Sequence, residues 1–542
     1  MSTEKKVFVR KATGLVREIG FWTAAIIVIC NVVGLGWQKR LFQFTGPAIV
    51  PETSYVAGIP PITMSFIIVG IIVLLTVWVF ALLGAAMPRS GGGYVYISRI
   101  IHPAVGFLGA WVEYFSIAVS YGLIGTAVFE AILIYAWVAG WGTAWATTEL
   151  LTFGGMVIVI IFAGVAAMGV SMAGRLLRIM FVIPAAITIL LYAIMLGASP
   201  VSMEAGIKAL TGLAPVEFTQ MALDQGMATA FKGDYWASMA TATIGAYWAY
   251  IGFAASTFVA GEVKEAGKAL PRTLFTANIL IVLLYVTISY TCYRAASMVG
   301  WVGDYSFFSG YAYLSYGGGT LPAGVGSAWM PVIAGFAATG AGMSWFLVFI
   351  PIFAALWVAN DIPPFILTSS RILFAMAFDR VLPEKLADVN ERWHSPVNAV
   401  IVTMFVAFIG NFSESGFFSK YYVPVVAEYF ATGVVATDIW DALFFFLASL
   451  AGLLFVFRRR DIYDKSPYKP GVGVVAGVGL VATILNVYLL YLLWQGFFGM
   501  IEPWVFTLLL LVVGAAIYFY YRSKGARVGV DYATIYTEIP PE

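Results

Sequence analysis

The 542 residues are 61% hydrophobic and 11% charged, with 30 Lys and Arg against 28 Asp and Glu. Soluble domains carry roughly 25% charge, so at a mean hydropathy of +0.90 most of this chain belongs in lipid. The balanced charge gives no ground for a nucleic-acid partner. The two cysteines, Cys30 and Cys292, and the two histidines, His102 and His394, supply neither a disulfide framework nor a metal-ligand cluster.

Apolar stretches of about 20 residues, long enough to cross a bilayer, fall in chain order near 19–45, 62–87, 104–138, 150–170, 176–198, 237–261, 274–298, 344–375, 396–412, 440–457, 473–498 and 503–521. Twelve spans put both termini on one side. With that side cytoplasmic, all basic residues lie inside except Lys39, Arg40, Lys208, Lys232, Arg294 and Lys420, as the positive-inside rule requires. Arg458-Arg459-Arg460 anchors the tenth span. The basic N-terminus runs into a long span with no small-residue cleavage site, so no cleavable signal peptide is expected.

The first span is interrupted by Gly34-Leu35-Gly36 and the sixth by Gly252, within Trp248-Ala-Tyr-Ile-Gly-Phe253. An interrupted helix leaves backbone polar groups unpaired, which hydrocarbon forbids unless the break lines a cavity or is buried in protein. Matched breaks in two halves of a chain point to a transporter's binding site. Free N–H groups at Gly34–Gly36, on a positive half-helix end, suit a carboxylate. Carbonyls near Trp248 and Ile251 suit an ammonium.

Between the spans, the outer loops 199–236 and 299–343 are aromatic and lightly charged and are expected to fold as short helices. The inner Arg89-Ser-Gly-Gly-Gly-Tyr94 turn lets backbone pack closely at a cytoplasmic gate, and the last twenty residues read as a solvated tail. There is no Gly-x-x-x-x-Gly-Lys-Ser/Thr phosphate loop, and Gly471-Val-Gly473-Val-Val-Ala-Gly477 has the wrong spacing for a dinucleotide fingerprint. No enzyme, cofactor or metal is expected.

Four segments together resemble the amino acid, polyamine and organocation (APC) transporter family: Gly14-Leu-Val-Arg-Glu-Ile-Gly-Phe21 with Asn31-Val-Val-Gly-Leu-Gly36; Pro88-Arg-Ser-Gly-Gly-Gly-Tyr-Val-Tyr96; Trp248–Phe253 with Glu262-Val-Lys264 and Pro271-Arg272; and Ser370-Arg371 through Asp379-Arg-Val-Leu-Pro383 to Ser395-Pro396-Val-Asn398. The resemblance implies an all-α membrane protein of the LeuT-type fold, with twelve transmembrane helices. Residues 17–198 and 237–460 would be two inverted five-helix repeats, broken in helices 1 and 6. A cytoplasmic tail (1–16), an outer loop (199–236), helices 11 and 12 (461–522) and a second cytoplasmic tail (523–542) complete the expected organisation.

It also implies substrate binding by Val33, Gly34, Leu35, Gly36, Tyr121, Trp248, Ile251, Gly252, Phe253 and Phe365, with the α-carboxylate at the first break and the α-amino group at the second. Trp248 falls where relatives carry an outer-gate aromatic. The chain departs from the family at Leu35, often small and polar in relatives, and at Pro184, where many proton-coupled relatives carry a lysine. It departs again at Ala254, acidic in some relatives that exchange cationic amino acids.

Ionisable residues inside spans are functional candidates because burying them is costly. Asp361 and Glu113 are the coupling candidates, Asp361 binding sodium or taking up a proton. Glu130 also lies within a span, and Glu262 reads as interfacial structure. Lys39 and Arg40 are expected to snorkel to the outer interface, or else to select an acidic substrate. Pro363 and Pro364 should distort the eighth span. The expected function is a plasma-membrane permease moving amino acids or related amines by alternating access, coupled to H+ or Na+. The alternative is a transport-silent subunit of a membrane complex, and a homodimer is a further candidate. If the topology is right, Arg459→Cys in a cysteine-free background resists an impermeant thiol reagent applied to intact cells, and external labelling there overturns the twelve-span arrangement.

Overall fold

A computed structural model describes residues 7–9, 12–142, 144–421, 436–497 and 500–541. The described residues are helical apart from loops and two isolated β-bridges, Ile19 with Val263 and Val302 with Tyr305. Among the described residues, eleven helices are long and apolar enough to span a membrane. The sixth expected span is missing from that set because its break leaves a helix of 16 residues and a single turn of 4. Aliphatic side chains such as Val182, Ile189, Leu283, Leu508 and Val512 are more than half exposed, an outer surface that only lipid satisfies.

The first span is two helices, α1 (Phe21–Val32) and α2 (Gly36–Gln43); α3 (Pro61–Ala86), the short α4 (Gly93–Ile100), α5 (Pro103–Ala139), α6 (Thr148–Ala167) and α7 (Val170–Leu196) follow. The outer loops form short helices as expected: α8 (Pro200–Thr211), α9 (Pro215–Asp224) and α10 (Met227–Ala230) in the first. The split sixth span is α11 (Tyr235–Tyr250) and a single turn, α12 (Ala255–Phe258), and α13 (Ala266–Ala296) comes next. The second outer loop holds α14 (Phe307–Tyr316) and α15 (Met330–Gly340). The remainder is α16 (Phe349–Phe378), α17 (Val397–Glu414), α18 (Phe417–Tyr421), α19 (Ala436–Arg458), α20 (Arg460–Tyr463), α21 (Val472–Phe497), α22 (Glu502–Arg527) and α23 (Tyr532–Thr537).

The most extensive packing is of α5 on α16 and of α3 on α13, the third span on the eighth and the second on the seventh. Glu52 ties the loop after α2 to α14, its Oε1 accepting from Ser306 N (2.8 Å), Ser306 Oγ (2.7 Å) and Ser309 Oγ (2.6 Å). Burial nevertheless pushes that carboxyl above its ordinary range.

Three expectations need correction. Pro363 and Pro364 do not interrupt α16, which is helical throughout. Two ladder bonds are lost there, yet every residue from Trp357 to Phe378 is buried, and tertiary packing holds the helix where local propensity does not. The C-terminal segment is not solvated: α22 continues to Arg527, and α23 docks on the inner face with Ile535 fully buried. Arg459 Nη2 donates to Thr537 O (2.7 Å) and Arg89 Nε to Pro540 O (2.5 Å). Lys39 and Arg40 turn inward. Lys39 Nζ pairs with Glu130 Oε1 at 2.6 Å, and the Arg40 guanidinium lies 4.1 Å from the centroid of the Trp248 ring.

The inner end is closed by two buried ion pairs. Arg99 grips Asp379 with both terminal nitrogens (2.5 and 2.8 Å), and Tyr94 Oη donates to the same carboxylate (2.7 Å). Arg371 grips Glu262 (2.8 and 3.1 Å), so Glu262 is structural as expected, but in the buried core. Gly91, at φ +96°, lies so close to α16 that a Cβ there would stand 2.3 Å from Ala375 Cβ. Arg371→Met leaves Glu262 buried and unpaired and should cost about 3–5 kcal/mol, read as a steep fall in Tm. Arg460→Ala, which breaks an exposed pair with Asp464, should stay within about 1 kcal/mol.

Candidate functional site

The breaks in the two split helices meet. Val33, with φ −88° and ψ 80°, ends α1, and Gly34 N turns back on Val32 O (3.1 Å) before α2 begins at Gly36. A Cβ on Gly36 would stand 2.7 Å from Ala249 Cα, so α2 and α11 touch backbone to backbone. At the other break Gly252 adopts φ +99°, open to glycine and strained for other residues. A Cβ there would stand 2.1 Å from Asn31 Nδ2.

Side chains take up the freed backbone groups. Asn31 Nδ2 donates to Gly252 O (3.2 Å) and Gln38 Nε2 to Gly34 O (2.9 Å). From α13, the Tyr285 hydroxyl reaches Val32 O (2.6 Å) and Ala249 O (2.9 Å), sharing one proton between the last turns of both outgoing helices. Asn278 Nδ2 donates to Phe253 O (3.0 Å). Trp248 O, expected to be free, accepts from Ile251 N (3.2 Å).

Two small adjoining cavities lie against this contact. The outer one is about 20 Å³, room for one water, and is lined by Asn31, Gly36, Trp248, Ile251, Asp361 and Phe365 together with Ser116, Ser120, Thr437 and Asp438. The inner one, about 10 Å³, adds Glu113, Gly252 and Asp441. Neither has room for an amino acid.

Of the residues named from sequence, Gly36, Trp248, Ile251, Gly252 and Phe365 line these cavities. Gly34 adjoins them through Asp361, whose Oδ2 would stand 1.8 Å from a Cβ built on Gly34. Val33 and Leu35 are buried at the break and outside the lining. Phe253 packs on Phe445, ring centroids 4.3 Å apart. Tyr121 points away, its hydroxyl donating to Val159 O on α6.

Both coupling candidates face cavities. Asp361, 5% exposed, has no hydrogen-bond partner for Oδ1. Glu113 shares the inner cavity with Asp441, whose Oδ2 accepts from Tyr247 Oη (2.6 Å). The described residues contain no cluster of three or more His, Cys, Asp or Glu able to hold a metal ion. Asp438 and Asp441 were not singled out from sequence, although acids inside apolar runs were the available signal. The expected tenth span began at 440, which put Asp438 outside it.

A helical bundle whose interrupted helices face one another across occluded polar cavities is the architecture of a transporter. The amino acid permease family profile matches residues 19–518, and the chain belongs to that family. It is a transporter and not an enzyme. It is 22% identical to the glutamate/serine transporter AimA of Bacillus subtilis over 534 residues, covering 94% of this chain and 82% of that one. It is 23% identical to the branched-chain amino acid permease BcaP of the same organism, covering 95% of each. Against the vacuolar cationic amino acid transporter 2 of Arabidopsis thaliana the figure is 24%, over 64% of this chain and 48% of that protein.

Gly36→Ala forces α2 away from Ala249 and should weaken substrate binding at least about tenfold, roughly 1.4 kcal/mol, by calorimetry on purified protein. Gly164→Ala, where a Cβ meets nothing within 4 Å, is the control and should leave binding unchanged.

Proposed function

We propose that this chain is a secondary active permease of the plasma membrane that moves an amino acid or related amine by alternating access, with substrate held between the two breaks. The observation that carries this reading is the backbone contact of Gly36 with Ala249 and of Gly252 with Asn31 around cavities with unpartnered polar atoms. When α2 and α11 part, the N–H groups at the head of α2, which have no intrahelical partners, are presented to a carboxylate. The LeuT-type arrangement is supported by the packing of second span on seventh and third on eighth, the pairing expected of two inverted repeats.

Pro184 excludes the fifth-span lysine mechanism, so coupling needs another group. Asp361 sits beside the first break with an unpartnered oxygen and is the coupling residue in this reading, exchanging a proton as substrate enters and leaves. With the carboxyl neutralised, Asp361→Asn should abolish gradient-driven accumulation in liposomes while exchange of internal for external substrate continues. Accumulation at wild-type level transfers the role to Glu113 and Asp441.

A further inference from the structure

The names of the relatives span acidic, branched-chain and cationic substrates, so the cavity's own chemistry must choose. Its unpartnered side-chain atoms are Asn31 Oδ1, Asp361 Oδ1 and Asp438 Oδ1. All are acceptors. Of its three hydroxyl residues, Ser116 is committed through Oγ to Thr437 O (2.9 Å), and Ser120 and Thr437 complete the set.

Asp361 has a role in the reading above, and Asp438 has none. It lies in the first turn of α19 and is 8% exposed. No ion pair within 4 Å reaches it among the described residues. Arg40 does not line the cavity; it stacks on Trp248 and donates to Gln43 Oε1 (2.8 Å). The Arg40 charge acts on Asp438 from beyond ion-pair distance, and Asp438 Oδ1, buried without a hydrogen-bond partner, is left open to a cation that arrives. Beside Asp438, Ser120 and Thr437 offer oxygen, while Ile124, Ile251 and Phe365 offer apolar wall.

We propose that Asp438 is the specificity residue of this site and that the substrate is an amino acid with a cationic side chain, its methylenes on Ile124 and Phe365 and its terminal ammonium on Asp438. An acidic side chain there would set a second carboxylate against Asp438. A branched aliphatic one leaves the carboxylate buried and unpaired. Ala254, which carries no acid, is no obstacle, because the anion enters from α19 and position 254 lines only the inner cavity.

The inference rests on the permease reading, and the test separates the two. Lysine and norleucine differ by an ammonium in place of a methyl, so their dissociation constants on purified full-length protein isolate the contact. Wild type should bind lysine at least about tenfold more tightly than norleucine, leucine, serine or glutamate, equivalent to roughly 1.4 kcal/mol. Asp438→Asn should lose that preference while keeping leucine binding, and Asp438→Glu should retain part of it. Equal binding of lysine and norleucine by wild type, or undiminished lysine preference in Asp438→Asn, overturns the inference and leaves the permease reading standing. Should the asparagine variant not fold, the wild-type comparison alone decides. If wild type binds none of the five, the inference falls, while the permease reading stands on the family match.

Discussion

Everything around the candidate site depends on one requirement: backbone freed by breaking a helix inside an apolar bundle must find partners. A buried polar group left unpaired costs about 1–3 kcal/mol, whereas each bond made returns only about 0.5–1.5. The two breaks meet that requirement jointly. Asn31 serves Gly252, Tyr285 spans Val32 and Ala249, and Gln38 serves Gly34. Glycine at 36 and 252 follows from the same requirement, because only bare backbone lets the segments come close enough to be served by one another.

Charge is handled in two ways at two depths. At the inner end each buried acid has a base: Asp379 has Arg99 and Glu262 has Arg371, both through two nitrogens. Midway through the bundle the carboxyls of Asp361, Asp438, Glu113 and Asp441 face cavities with at least one oxygen unpartnered apiece. A saturated pair resists separation and suits a closure. An unsaturated carboxyl is available to something that arrives and departs.

What could be read from sequence was set by what a linear pattern encodes. Gly34-Leu-Gly36 and Gly252 stood out because glycine at mid-span is a local signal of backbone conformation, and apolar runs located most helix ends within a few residues. Partnerships between distant positions leave no such trace. Lys39 looked like an interfacial base because Glu130 is 91 residues away, and Tyr285 was not singled out at all. The C-terminal segment misled differently: its acids and prolines gave it a soluble composition, while Ile535 and Tyr536 supply the face that docks. The run through Pro363 and Pro364 stays helical because neighbouring helices enclose it, which propensity alone does not report.

Pro184 lacks an N–H, and within α7 the carbonyl it would have served is that of Met180. That oxygen accepts instead from Asn360 Nδ2 on α16, at 3.2 Å, one residue before Asp361. The side chain at 360 thus covers the bond that the proline cannot make, and shortening it would strand the carbonyl. The proline's tolerance in α7 is therefore set by a residue of α16, so a change in one helix would be felt as a backbone defect in the other.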